Sequence, residues 1–245
     1  MILTEKESEE ICLRIVFVRH GYPNYQLDCL TEVGHLHAEA AAERLADEPF
    51  TRIFSSTCGR AVETAEHIAA KHNLPVESFD FMREITWGPI EGDELPHRNG
   101  YPWVVATAMV REGAPLMDPE WMESAYFSNN RVKFLVENIA TEFDKILAPL
   151  GLEREGLYYR ITKENEETVA MVSHGGSSAA ALSHLLNLPF PFICENIRHR
   201  FTAITTLGFY GQPGDLVSPR IEILNDSRHI IPIGHEVYVA PEAKK

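Results

Sequence analysis

Two histidines stand at the ends of apolar runs, each followed by glycine: Val18-Arg19-His20-Gly21 and Val172-Ser173-His174-Gly175-Gly176. A third run, Arg52–Phe54, leads into Ser55-Ser56-Thr57-Cys58-Gly59-Arg60. A neutral imidazole is a competent nucleophile when a hydrogen bond on its other nitrogen fixes the tautomer. A guanidinium presents a planar fork that matches phosphate oxygens in pairs, and it stays charged at any physiological pH. Two histidines with Arg19 and Arg60 at converging strand ends therefore describe a phosphate site. Glycine beside each histidine lets the backbone turn tightly or approach a ligand. Free N–H groups at helix N-termini add favourable potential for an anion.

An alkoxide leaves phosphorus poorly unless it is protonated, so a carboxylic acid is required. The candidate is Glu84, in Met82-Arg83-Glu84-Ile85-Thr86-Trp87-Gly88-Pro89-Ile90-Glu91-Gly92, and Glu91 competes with it on spacing alone. Singly, each signal has a plainer reading. A buried histidine is more often structural than catalytic, Arg60 would suit a helix-surface ion pair, and Gly175-Gly176 a turn. Their joint occurrence in order carries the weight.

The elements that must position these residues are legible as patterns. Leu13–Val18 is almost continuously apolar and β-branched, as suits a strand buried on both faces, and Thr168–Val172 repeats the pattern. Val33, His37, Ala40, Ala41 and Leu45 predict one face of a helix starting at Thr31. Ala61, Ala65, Ile68 and His72 predict a second, terminated by Asn73-Leu74-Pro75. Val132, Leu135, Val136, Ile139, Phe143, Ile146 and Leu147 predict a third, ended near Pro149-Leu150-Gly151. Ala180, Ala181, His184 and Leu185 mark a fourth, and Ala203–Phe209 and Arg220–Leu224 read as later strands. Apolar strands alternating with helices predict one α/β domain over 1–245, a three-layer α/β/α sandwich with a mainly parallel central sheet. Residues 93–165 interrupt the alternation, with no clean period from Asp93 to about Tyr126. They are expected to form a largely helical insertion over the sheet's functional edge, where ligands of open α/β sheets bind.

The chain carries a formal net charge of −14, with 44% hydrophobic and 24% charged residues. That is the composition of a soluble globular protein. Its acidic balance argues against nucleic acid as a partner, which needs clustered Lys and Arg. Any phosphate site must therefore be locally strong. No apolar stretch reaches the roughly 20 residues of a membrane span. Residues 1–12 carry Glu5, Glu7, Glu9 and Glu10 where a signal peptide would be basic and then apolar, so a cytoplasmic location is expected. Cys12, Cys29, Cys58 and Cys194 are scattered without metal-ligand spacing and read as reduced structural thiols. No metal or cofactor is expected. The tail Pro241–Lys245 is expected to be mobile.

Arg19-His20-Gly21 resembles the name-giving motif of the histidine phosphatase superfamily, which includes the cofactor-dependent phosphoglycerate mutases. Asp28-Cys29-Leu30-Thr31-Glu32-Val33-Gly34 is similar to that family's LTxxG helix start. Ser55-Ser56 through Arg60-Ala61 to Thr64-Ala65 matches SSxxxRAxxTA. Glu84, followed by Trp87-Gly88 and Gly92, resembles the segment carrying the proton donor, and Val172–Gly176 the second-histidine motif. Leu224-Asn225-Asp226-Ser227 with His229 looks like a closing segment of the bacterial phosphatase branch. The resemblance spans roughly 13–92 and 168–230 and leaves out the insertion.

The resemblance implies roles. His20 is the nucleophile that becomes phosphorylated; Arg19, Arg60 and His174 hold the phosphoryl oxygens; Glu84 protonates the leaving oxygen and then activates water. Cationic side chains stand where other phosphatases hold metal ions, so the implied activity is a metal-independent phosphomonoesterase acting on a small-molecule phosphomonoester. Mutases of the family carry Glu/Gln-Ser-x-Trp-Asn after the first motif and Arg-His-Tyr after the acid. Here Tyr22-Pro23-Asn24-Tyr25 and Ile85-Thr86-Trp87 stand instead, which favours a phosphatase. Asn24 or Gln26 is a further candidate donor to phosphate. The alternatives are a mutase-like phosphotransferase and a catalytically weak module that recognises phosphorylated partners. Retention of Arg19, His20, Arg60, Glu84 and His174 counts against the module.

In the insertion, Tyr101, Trp103, Trp121, Tyr126, Phe127, Tyr158 and Tyr159 are expected mostly to pack its own core, with some left to line a pocket. No stripe of Lys or Arg is visible there, which favours a modestly charged leaving group over a bisphosphate. His97 and His199 fall in loops open to substrate contact. The sequence carries no readable oligomer interface.

Overall fold

Ile11–Arg19 (β1) is buried along nearly its whole length because it lies inside the sheet, with a strand on each side. It leads through a small hairpin, β2 (Pro23–Asn24) and β3 (Cys29–Leu30), into α1 (Glu32–Arg44). Then come β4 (Phe50–Ser56), α2 (Gly59–His72) and β5 (Val76–Phe79). Three helices follow: α3 (Pro96–Gly100), α4 (Pro102–Glu112) and α5 (Val132–Leu147). A second hairpin, β6 (Leu152–Glu155) and β7 (Tyr158–Ile161), precedes β8 (Glu167–Ser173), α6 (Gly175–Leu186) and α7 (Phe190–Asn196). The chain closes with β9 (Ile204–Tyr210), β10 (Leu216–Val217) and β11 (Arg220–Asp226). This computed structural model describes residues 11–235, so the N-terminal glutamates and the tail Pro241–Lys245 lie outside the described residues.

The six-stranded sheet has the order β11-β9-β1-β8-β4-β5. β1, β8, β4 and β5 run parallel, while β9 runs against β1 and β11 against β9. The sheet is thus mainly parallel, as the apolar strands predict. Successive residues of a strand point to opposite faces, and the two faces carry separate cores. Leu13, Ile15 and Phe17 pack with Val169, Met171, Ile139, Phe143 and Leu182 on one side. Val16 and Val18 pack with Ala170, Val172, Leu45, Ala65 and Ile68 on the other. The α/β/α layering follows from those two cores.

Local chemistry sets the helix ends. Thr31 caps α1 by accepting from the Gly34 N–H, and Asn73 ends α2 in the left-handed region at φ 54°. The buried face of α1 is Gly34, His37, Ala38, Ala41 and Ala42, rotated from the expected one, with Val33 and Ala40 only half-buried. The reason is the small residues: α1 packs on α2, and a seam of Gly and Ala lets two helix backbones come close.

Most of the regular structure in residues 93–165 is helical, as expected. After α5 they close with the β6–β7 hairpin, which joins β10 in a separate three-stranded sheet. Gly151 and Gly156, at φ 90° and 61°, make the turns that bracket β6. Helix α4 lies inside the stretch that shows no period. Pro102, Val105, Ala106, Ala108 and Met109 are buried, while Trp103, Val104 and Thr107 face a cavity. With few polar residues on its open side, α4 leaves no amphipathic signature.

The turn after His20 is pinned to α1 by backbone contact. A Cβ on Gly21 would lie 2.5 Å from the Gly34 carbonyl oxygen, and one on Gly34 would lie 2.1 Å from that of Tyr22. Gly34→Ala is expected to cost about 1–3 kcal/mol, read as a lower urea midpoint at unchanged slope. An unchanged midpoint would mean that this contact has slack.

Candidate active site

β1, β8 and β4 are neighbours, and their carboxyl ends deliver His20, His174 and Ser56 side by side. Register pairs Arg19 with Ser173, and the His20 N–H donates to the Ser173 carbonyl at 2.9 Å.

His20 is buried, with Nδ1 2.7 Å from its neighbour's carbonyl oxygen at Gly21. A carbonyl can only accept, so Nδ1 carries the proton and Nε2 keeps its lone pair. Arg60 Nε donates toward that nitrogen at 3.4 Å. Burial, then His174 and the two arginines, hold the His20 pKa well below the ordinary histidine value. The result is a neutral imidazole of fixed tautomer.

His174 caps α6: its side chain accepts from the Ser177 N–H, and the Ser177 hydroxyl accepts from the His174 N–H. Its Nδ1 also accepts from Arg60 Nη2 at 3.0 Å. Its Nε2 therefore carries the proton and donates to Ser56 Oγ at 2.8 Å. Burial, then Arg60 and Arg19, hold this imidazole neutral as well. The two rings lie 5.1 Å apart, centre to centre.

Arg60 sits buried in the first turn of α2 and pairs through Nη1 with Asp28. Asp28 also accepts from the Gly59 N–H at 2.9 Å. A Cβ on Gly59 would lie 2.2 Å from the Asp28 carbonyl oxygen, so the β2–β3 hairpin rests directly on the start of α2. Thr64 closes the same corner, donating to the Arg60 carbonyl and accepting from the Gly21 N–H.

Arg19 donates through Nη1 to the His199 carbonyl at 2.6 Å, and its guanidinium lies 4.1 Å over the Phe201 ring. Its Nε is buried with no partner among the described residues, a donor left for a ligand. The closing motif supports this arrangement from behind. Asn225 accepts from the Arg200 N–H and donates to the Arg198 carbonyl, fixing the loop that offers the His199 carbonyl. His199 itself is buried, and burial with Arg19 nearby pushes its pKa down to about 4.

Glu84 follows β5 and a short 3-10 turn, and is tied to the second-histidine helix. Its Oε1 accepts from the Gly176 N–H at 2.8 Å and from the Ile85 N–H at 3.1 Å. Burial raises its pKa against the pull of Arg19 and those two bonds. A Cβ on Gly176 would lie 2.4 Å from Glu84 Oε1 and 2.2 Å from Ile85 Cγ1, so only glycine admits the carboxyl here.

The structure thus gathers Arg19, His20, Arg60, Glu84 and His174. Glu91 is exposed and bound through its backbone to Asn129, apart from them. Asn24 uses its side-chain oxygen to accept from the Gln26 and Leu27 N–H groups, closing the hairpin turn. Of the insertion's aromatics, Trp121, Phe127 and Tyr159 are core, and Tyr158 is exposed. Tyr101 and Trp103 reach the site, in a row of tilted rings with Trp87 at 4.7 and 5.0 Å between neighbouring centres.

Sequence reasoning assigned no role to Asp28, Ser56, Thr64 or Tyr25. The first three lie inside the quoted motifs, which was the available signal. Tyr25 had none; its ring lies 5.3 Å from the Arg60 guanidinium and edge-on to His20. Among the described residues, no three His, Cys, Asp or Glu side chains converge to hold a metal, and no helix is long and apolar enough to cross a membrane. The Arg19 and Arg60 guanidiniums, with Asp28 as their one paired carboxylate, leave room for an added dianion beside two neutral imidazoles and a carboxyl group whose pKa burial raises.

A family model described as "Histidine phosphatase superfamily (branch 1)" matches residues 15–148. A glucosyl-3-phosphoglycerate phosphatase of Mycobacterium tuberculosis is 30% identical over 185 residues, covering 72% of this chain and 76% of that protein. Phosphoglycerate mutase-like protein 4 of Arabidopsis thaliana is 29% identical over 184 residues, covering 69% and 70%. Among solved structures, a mycobacterial glucosyl-3-phosphoglycerate phosphatase superposes with a TM-score of 0.58 at 25% identity, covering 86% of this chain and 98% of that one. A phosphoserine phosphatase of Entamoeba histolytica bound to 3-phosphoglyceric acid gives 0.59 at 20% identity, covering 89% and 100%, a likeness of fold alone.

Two neutral buried imidazoles make stability depend on pH in a definite direction. Below about 6.5 the unfolded chain binds protons that the folded site refuses. Stability is therefore complete above that pH and falls as pH drops toward the depressed folded values of His20 and His174. Urea unfolding from pH 7 to 5 should show this fall, and His174→Asn should flatten its slope. An equal slope in both proteins would contradict the assigned protonation.

Proposed function

Because the chain belongs to the histidine phosphatase superfamily, branch 1, we propose that it is a metal-independent phosphomonoesterase working through a phosphohistidine on His20. Its class, a phosphatase of that superfamily, rests on its phosphatase relatives; the route and the residue roles are our reading. The observation that carries it is the His20 Nδ1 bond to the Gly21 carbonyl, which leaves a lone pair on Nε2 beside Arg60.

In the first step His20 Nε2 bonds to phosphorus as the bond to the ester oxygen breaks. Arg19 and Arg60 hold the phosphoryl oxygens, with His174 beside them. Glu84, whose pKa burial raises, gives its proton to the departing oxygen. Its Oε1 is tied down by two N–H groups, so Oε2 is the oxygen that carries the proton. In the second step the Glu84 carboxylate takes a proton from water, whose oxygen bonds to phosphorus as the N–P bond breaks. Phosphate leaves and the acid is restored. The guanidiniums supply the charge stabilisation that metal ions give elsewhere, and they need no bound cation.

We read residues 93–165 as an insertion in a single domain, with α4 walling the site, and the substrate as a small-molecule phosphomonoester. A cytoplasmic working place fits four free thiols. The test is hydrolysis of an aryl and an alkyl phosphate, with and without chelator, for wild type, His20→Ala and Glu84→Gln. Turnover should survive the chelator and vanish in His20→Ala. Glu84→Gln should cost about 10²–10⁴-fold on the alkyl ester and much less on the aryl ester, whose leaving group needs little help. Chelator-sensitive turnover, or activity kept in His20→Ala, would overturn the mechanism.

A further inference from the structure

Helix α4 places Trp103, Thr107 and Arg111 one turn apart on a single stripe. One end of that stripe is at the catalytic centre. Trp103 Cζ2 lies 3.8 Å from where a Gly175 Cβ would stand, and the unpartnered Arg19 Nε lies equally close to that point. The same stripe lines a cavity of about 300 Å³, together with His97, Glu112 and Arg198. At 1.5 Å rise per residue, Thr107 lies about 6 Å and Arg111 about 12 Å along the helix from Trp103. The indole therefore borders both the phosphoryl site and this cavity.

Two guanidinium groups line the cavity. Arg198 Nη2 donates to Thr107 Oγ1 at 2.8 Å and to Glu195 at 3.2 Å, so it stands at the middle of the row. Arg111, one turn further, makes no hydrogen bond or ion pair among the described residues. Two carboxylates flank them, and both are engaged: Glu195 accepts from the Thr107 hydroxyl and Arg198, and Glu112 accepts from the Tyr126 hydroxyl. Local charge is thus nearly balanced before a ligand arrives, which suits one added negative charge better than a second phosphate. A planar carboxylate matches the guanidinium fork.

We infer that this cavity is a leaving-group subsite for the carboxylate of an organic phosphomonoester, Trp103 guiding the body of the ester from the catalytic centre toward Arg198 and Arg111. The inference rests on the phosphomonoesterase reading above and names its substrate class.

The probes are 4-carboxyphenyl phosphate and its neutral isostere 4-carbamoylphenyl phosphate, compared by the ratio of their kcat/KM values. The wild-type ratio should favour the carboxylate by about tenfold, the worth of a charge-assisted hydrogen bond. The preference should lie mainly in KM. In the R111Q/R198Q double variant the ratio should fall to about one. Equal use of both esters by wild type, or a preference that survives the double variant, would overturn the subsite while leaving the phosphatase reading intact. Hydrolysis of neither ester would remove that reading and the subsite together.

Discussion

A guanidinium that cannot discharge sits between two imidazoles, with Arg60 Nε directed at His20 and Nη2 at His174. Beside a fixed positive charge, and out of water, a protonated histidine is doubly penalised. The site therefore settles into the one arrangement that avoids this: both rings neutral, each with its proton turned outward, to the Gly21 carbonyl in one case and to Ser56 in the other. The lone pairs face inward, where Arg60 meets them. In the proposed mechanism a nucleophile is thus held ready without a general base to deprotonate it, and the same arginine is placed to receive the charge of the phosphoryl group.

Much of the surrounding architecture holds that guanidinium and its partner Arg19 in place. Asp28 pairs with Arg60 and caps the Gly59 N–H, so the β2–β3 hairpin and the start of α2 move as one piece. Asn225 holds the loop whose carbonyl at His199 orients Arg19. The acid is docked differently, by close approach: Gly176 leaves the space that Glu84 and Ile85 fill, and its N–H fixes one carboxyl oxygen. Desolvation then does opposite things to the two kinds of group. It keeps the histidines from taking protons and makes the glutamate hold its proton to higher pH. One pocket thus serves both the nucleophile and the acid of the proposed mechanism.

What the sequence made legible follows from how the information is stored. Strands β1 and β8 are buried on both faces, so their composition announces them, and the chemistry sits at their ends, where Arg19, His20 and His174 were found. Helix α5 has a wet face and a dry face and was equally plain. Helix α4 was not, because one side packs in the core and the other lines a cavity, which leaves no alternation to detect. The β6–β7 hairpin is short and its burial alternates only over a few residues. The supporting residues were hidden for another reason. Asp28 works from the left-handed region at φ 51° and across a hairpin, and Ser56 works through a ring from another strand. Such roles belong to juxtapositions that no local pattern encodes. Asn24, a candidate phosphate donor by its place in the sequence, also uses its side-chain oxygen to close its own turn, a contact that only the folded hairpin reveals.

The decisive question is whether phosphorus passes through the enzyme or goes directly to water. The stereochemical course of hydrolysis answers it, using an isotopically chiral thiophosphate monoester and analysing the configuration of the released thiophosphate. Attack by His20 followed by attack of water inverts phosphorus twice, so the product should show net retention. Net inversion would mean a single displacement by water, and His20 would then be a ligand of the phosphoryl group rather than its acceptor.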